Sequence, residues 1–282
     1  AISINAAESR LDIPRIEGEP TLADFSGMQP STSLARSMSR VEDFTQRTPY
    51  PGQASAQKTE AYTGYDQENI YVVVLAFDTN PELIRGNLAE RENIFGDDWV
   101  GFMVDTFNDQ RSAFAFASNA RGIQFDARWT EGSSRRAGFD PTFDAVWFNE
   151  GQLTEKGYMV SFTVPLRSLR FNESEEQTWR IQFTRTIPRY GEEAHWPEYS
   201  VNVEGRLNQT AQLTGIQNVS PGNNYQVIPF FFARELDALN RSALGGPKFG
   251  TTSEQEVGVD AKFVFNDSWA LDLTLNPDFS QI

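Results

Sequence analysis

The chain has no cysteine, one histidine (His195) and four methionines among its 282 residues. Without thiols it can form neither a disulfide nor a thiolate metal site. A single imidazole excludes histidine-based zinc chemistry. A Ser–His–Asp hydrolase would have to be built around that one residue, and the sequence has no GxSxG elbow. No apolar run reaches the roughly 18 residues of a membrane-crossing helix, an argument that leaves short, half-apolar barrel strands untouched. Positive charge is scarce as well: 24 Lys and Arg against 39 Asp and Glu leave a net charge of −15. Such a surface repels nucleic-acid phosphates and suits neutral ligands, cations or plain solvation. No signal peptide is recognisable at Ala1, and the small-residue start AISINAAES fits a processed N-terminus.

What is abundant is aromatic side chains (22 Phe, 6 Trp, 8 Tyr) and turn formers (20 Gly, 14 Pro), in a chain long enough for one large β domain and a second unit. The densest pattern runs from Gly96 to Arg128. Val100, Phe102 and Val104 alternate with Trp99, Gly101, Met103 and Asp105; Phe114 and Phe116 alternate with Ala113, Ala115, Ala117 and Asn119. Period two predicts three adjacent antiparallel strands. One face is expected to be greasy, and the other open, carrying Trp99, Asp105, Asn119, Asp126 and Arg128.

Elsewhere a lead-in strand is expected around Leu11–Ile16, followed by a Ser-rich loop. Thr59–Tyr65 should pair with Asn69–Phe77 across a turn at Asp66–Glu68, and the all-apolar IYVVVLAF reads as a central strand buried on both faces. Leu83, Ile84 and Leu88 behind Pro81 have helical spacing and predict a short surface helix over 81–91. Ala145–Asn149, Gly157–Pro165 and Trp179–Ile187 read as further strands, His195 as a strand-end or loop residue, and residues 10–215 as a β-sandwich. From about Asn224 the strands lengthen. In 269–276, Trp269, Leu271, Leu273 and Leu275 alternate with Ala270, Asp272 and Thr274, the apolar-out, polar-in pattern of an outer-membrane barrel strand. Extra sandwich strands would share it, and three strands cannot close a barrel.

Asp97, Asp98 and Asp105 could supply hard oxygen ligands for calcium, with Asn108 and Asp109 close behind, although their spacing is not that of an EF-hand loop. Ion pairing of Asp105 and Asp126 with Arg111, Arg121 or Arg128 is the alternative. Glycosidase chemistry needs only two carboxylates, for which Asp98 and Asp126 would serve.

The landmarks IPRI, TGYDQENIYV, GDDWVGFMVDTFNDQRSAFAF, SNARGIQFDARW, DAVW, VPLRSLRF, QTWRIQFTR and NPDFSQ, in that order, closely resemble a family of bacterial envelope proteins. Its members carry an N-terminal domain similar to the family 9 carbohydrate-binding module. A domain of unknown function, read as an outer-membrane β-barrel, follows, and the label membrane-associated hydrolase is common among them. The resemblance implies an all-β chain: a jelly-roll-like β-sandwich with one short helix over 1–215, then, over 216–282, a linker and the first strands of the barrel. It implies a saccharide or glycan as partner, and a cell-envelope location with the sandwich in the periplasm or at the cell surface. Sugar modules of this fold stack aromatic rings on pyranose faces and hydrogen-bond the hydroxyls. The candidates here are Trp99, Trp129 and Trp147, with Asn119, Gln124, Asp126 and Arg128 as polar partners. A structural or gating role, docking on the barrel or on a partner protein, is the second reading, and glycoside hydrolysis the third.

Overall fold

A computed structural model describes residues 9–133, 138–140, 142–221, 224–240, 248–265 and 269–275. The chain divides into two compact units, Ala1–Pro221 and Gly222–Ile282. The division falls beyond the expected boundary at 215, because Ile216 and Val219 are buried in the core of the first unit.

The first unit is a sandwich of two sheets. The larger has the order β1 (Arg10–Asp12), β14 (Ala211–Thr214), β12 (Trp179–Ile187), β6 (Trp99–Asp105), β7 (Ser112–Asn119), β8 (Gln124–Thr130), β9 (Phe139–Asp140). β13 (Glu192–Trp196) also pairs with β12 and carries β3 (Thr45–Thr48) beyond it. The second sheet runs β10 (Phe148–Thr154), β11 (Gly157–Pro165), β5 (Asn69–Phe77), β4 (Thr59–Tyr65), β2 (Ser39–Val41). The main core lies between the two inner faces. There Phe102 meets Phe162 edge-on at 5.5 Å, and Trp147 stacks on Phe162 at 5.7 Å, geometries that aromatic quadrupoles favour.

β4 and β5 form the expected hairpin. Asp66 Oδ1 accepts the backbone N–H of Glu68 (2.8 Å) and of Asn69 (2.7 Å), which closes the turn. β5 is buried on both faces: Val72, Val74 and Ala76 join the main core, while Tyr71, Val73 and Leu75 pack under Ile16, Leu22, Phe25, Met28 and Met38. The N-terminal stretch is thus a strap over the outer face of the second sheet. It contains the short helix α1 (Ser33–Ser37), capped by Thr32, whose hydroxyl accepts the Ala35 N–H at 3.2 Å.

The helix expected over 81–91 is absent; a single 3-10 turn at Pro81–Leu83 takes its place. The Asp98 carboxylate accepts the Arg85 N–H and the Asp97 carboxylate the Asn87 N–H, each at 2.9 Å. These bonds divert backbone donors from a helical ladder. The stripe also buries little: Ile84 alone packs against the core, and Leu83 and Leu88 are exposed.

The second unit is a meander of β15 (Asn224–Asn240), β16 (Lys248–Phe265) and β17 (Trp269–Leu275), antiparallel throughout. The NPDFSQ landmark lies outside the described residues.

Candidate functional site

β6, β7 and β8 are adjacent and antiparallel as the alternation predicts, but the polar set does not share one face. Asp126 lies opposite Phe116, and Arg128 opposite Phe114, so both belong to the face that carries the core phenylalanines. Trp99, Asp105 and Asn119 belong to the other face. That face is not open either: Ile94, Phe125 and Phe139 cover Ala117 and Ala127, while Leu207 and Trp129 cover Met103 and Ala115.

The expected binding residues are therefore dispersed. Trp147 is 3% exposed, between Val146 and Phe148, each 57% exposed. Its phase is as expected, but it points inward. Its indole N–H donates to Asp126 Oδ1 at 3.2 Å; the Ala145 N–H donates to Oδ2 at 2.8 Å, and Arg91 pairs with Oδ1. Asp126 is thus a saturated anchor inside the sandwich, and its arginine is Arg91 rather than Arg111, Arg121 or Arg128. Asn119 is fully buried. It accepts the N–H groups of Arg121 and Ile123 and donates to Asp97 at 2.8 Å, which fixes the β7–β8 turn. Gln124 donates to the Trp147 carbonyl at 3.0 Å. Arg128 is exposed and reaches Ser112. Trp129 is buried beneath the Arg206 guanidinium, 5.1 Å from its ring. Of the three tryptophans, only Trp99 is partly exposed rather than buried.

The carboxylates considered for calcium do not converge. Asp97 and Asp98 hold the 85–87 backbone, whereas Asp105 lies at the far end of β6, roughly 20 Å along the strand, accepting the N–H groups of Phe107 and Gln110. Among the described residues no group of three or more His, Cys, Asp or Glu is placed to hold a metal ion. Burial raises the pKa of Asp98, against the pull of the Arg85 N–H and of Arg189 and Arg185. Burial likewise raises that of Asp105. Asp98 and Asp126 also fail as a glycosidase pair, because three donors already fill Asp126 inside the core.

What the outer face of the larger sheet does assemble is a cross-strand row. Asn119 lies opposite Trp99, Trp99 opposite Thr186, and Thr186 opposite Glu193. Trp99 and Glu193 are therefore two strand spacings apart, about 10 Å. The neighbouring row is Ala117, Gly101, Thr184 and His195. That row is buried throughout, and Gly101 has no room for a side chain: a Cβ would come within 2.7 Å of the Ala117 Cβ and 2.5 Å of the Phe116 carbonyl. Beside that row stands an aromatic wall: exposed Phe95 meets Trp99 edge-on at 6.0 Å and Phe125 at 4.8 Å.

Opposite the wall is a charged cluster. Burial pushes His195 down to about 4, so its imidazole is neutral at pH 7. Its Nε2 faces Glu193 Oε1 at 2.8 Å, which places the proton there, and leaves Nδ1 to accept the Thr184 hydroxyl at 3.0 Å. Burial works against the Glu193 carboxylate, but the His195 hydrogen bond and the neighbouring Arg206 and Arg47 outweigh it and hold Glu193 at about 2. Arg206 donates from Nη2 to Thr184 Oγ1 (3.3 Å) and from Nε to Gln182 Oε1 (2.8 Å). Arg206 and Arg47 lie over the Tyr199 ring, 5.2 and 4.6 Å from its centroid. The Thr184–His195–Glu193 connectivity is that of a nucleophile relay. Thr184 is nevertheless buried, and its hydroxyl already accepts from Arg206, so the chain orients the guanidinium.

Thr186, Glu193, Tyr199, Arg206 and Phe95 were not singled out by the sequence. The alternation of Gln182, Thr184 and Thr186 in WRIQFTRTI was visible and marks a polar outer face; the loop residues Tyr199 and Arg206 left no local signal.

No family model matches the chain, and no curated protein matches it by sequence. Solved structures do. A candidate carbohydrate-binding protein from Bacteroides uniformis superposes with a TM-score of 0.54 at 10% identity, over 74% of this chain and 99% of that one. The likeness is one of fold. Two structures of a family 9 carbohydrate-binding module from Caldicellulosiruptor kristjanssonii also match. The glucose complex has a TM-score of 0.48 at 10% identity, over 75% of this chain and 96% of that one. The cellotriose complex has 0.46 at 11%, over 73% and 93%.

Proposed function

We propose that the sandwich captures a saccharide on the outer face of its larger sheet, between the Phe95–Trp99 wall and the Thr186–Glu193–Arg206 side. The observation that carries this reading is the partly exposed Trp99 beside Thr186, whose Oγ1 is buried and has no hydrogen-bond partner. An apolar ring face and an unpaired hydroxyl side by side match a pyranose, which offers a C–H face and a rim of donors and acceptors. The Bacteroides uniformis protein of similar fold, a candidate carbohydrate-binding protein, supports this reading. Titration calorimetry of the chain against a glycan panel tests it. Binding that weakens in Trp99→Ala is expected; no heat from any glycan at millimolar concentration would sink the reading.

For the second unit the reading is the start of an outer-membrane barrel. Val227, Phe231, Val257, Leu271, Leu273 and Leu275 are all exposed, and the register aligns Val227 with Ala261 and Leu273, and Phe231 with Val257. They share one apolar sheet face. On β15 the alternation runs through Val227, Pro229, Phe231 and Ala233 before Glu235 ends it, the dyadic apolar pattern of a barrel strand. Fractionation of cells expressing the full-length protein checks this: recovery in the outer membrane is expected, and recovery in the soluble fraction would contradict it.

A further inference from the structure

We infer that the outer-face site selects sugars bearing a carboxylate, with Arg206 as the group that receives it; this deepens the saccharide reading and rests on it. Arg206 is 7% exposed, and a buried guanidinium ordinarily has a carboxylate against it. Among the described residues none lies within ion-pairing distance of this one. Glu131 spends its carboxylate on the backbone N–H groups of Arg206 and Leu207, both at 3.0 Å. Glu193 is engaged with His195 and Arg47. The guanidinium instead has two neutral acceptors, Gln182 Oε1 and Thr184 Oγ1.

The groups around it lack acceptors too. Gln182 Nε2, on the same amide that holds Arg206 Nε, is buried and unpaired. So are Trp129 Nε1, on the indole under the guanidinium, and Arg47 Nε, across the Tyr199 ring. Each of these is a donor. Buried donors left unsatisfied are costly, and several of them around one cation specify a ligand that only accepts and is negatively charged. A carboxylate meets that description, and the planar fork of arginine fits it in bidentate fashion. Neutral His195 matters here: a proton on it would add a cation beside Arg206 and remove the acceptor that turns the Thr184 hydroxyl away from the guanidinium. In a chain of net charge −15, anion selection needs such a local concentration of donors.

The test is calorimetric titration of the intact chain with methyl glucuronide and methyl glucoside. The glucuronide is expected to bind at least tenfold more tightly, with the difference lost in Arg206→Gln. Because Arg206→Gln removes a buried group and its fold is at risk, Gln182→Glu is the second variant. It sets a carboxylate of the protein's own against the guanidinium and is expected to fold and to erase the preference. Equal affinity for the two sugars, or a preference that survives Gln182→Glu, overturns the inference and leaves saccharide binding standing. Binding of neither sugar, nor of any other glycan, removes the saccharide reading itself. Acetate competing as strongly as the glucuronide would overturn the selection of a sugar.

Discussion

Two buried polar regions of the sandwich differ in one respect. Around the β7–β8 turn, the carboxylates of Asp97 and Asp126 and the amide of Asn119 are filled by donors from the protein itself. On the outer face, Arg47, Gln182, Trp129 and Thr186 retain polar atoms with no partner. Saturated groups hold the fold; unsaturated ones point to something the fold receives. The residues that most resembled a site in the sequence fall in the first region, and the residues that geometry favours fall in the second.

The largest expected effect strikes the saturated region. Asp126→Ala would leave the Ala145 N–H, the Trp147 indole N–H and Arg91 without their common acceptor, costing about 3–5 kcal/mol of stability. Chemical denaturation checks it, and a loss under 1 kcal/mol would break the contrast. Next is pH. The folded pKa of His195, about 4 against 6.5 for the free imidazole, means the unfolded chain binds the proton first. Its contribution is full above pH 6.5 and is lost as pH falls towards 4, on the order of 3 kcal/mol for a fully buried group. Thermal unfolding of His195→Gln is expected to show a flatter profile in that window than wild type; parallel profiles would contradict the neutral assignment. Glu193 acts in the same direction at lower pH, from 4.5 down to about 2.

Smaller still is Trp99→Ala, expected to weaken saccharide binding about tenfold, or roughly 1.4 kcal/mol. Its melting temperature should fall far less than that of Asp126→Ala; the reverse order would make Trp99 a core residue. Arg128→Ala, at an exposed position, is expected to change stability by no more than about 0.5 kcal/mol and binding not at all. A clear loss of binding would restore Arg128 to the site.

Strand positions were legible because alternation is a local signal. β4, β5, β11 and β12 begin and end where the residue pattern says. Faces were harder to read. Asp126 follows Phe125 in a strand where both side chains are covered, one by Arg91 and Trp147, the other by Phe95 and Phe139; alternation alone does not say which side is the core. The helix over 81–91 failed because carboxylates at Asp97 and Asp98, beyond its end, captured its backbone donors. The charged cluster was out of reach for a similar reason, since Arg47, Thr184, His195, Tyr199 and Arg206 meet only through strand pairing and a long loop.

The most direct test of the central claim is a crystal structure of the chain with a bound saccharide. The account predicts the sugar on the outer face, its ring against Trp99 and its polar rim towards Thr186 and Arg206. A sugar seated instead in the cavity of about 550 Å³ bounded by Ser26, Met28, Glu150, Gln152 and Lys156, with the Trp99 face empty, would contradict it.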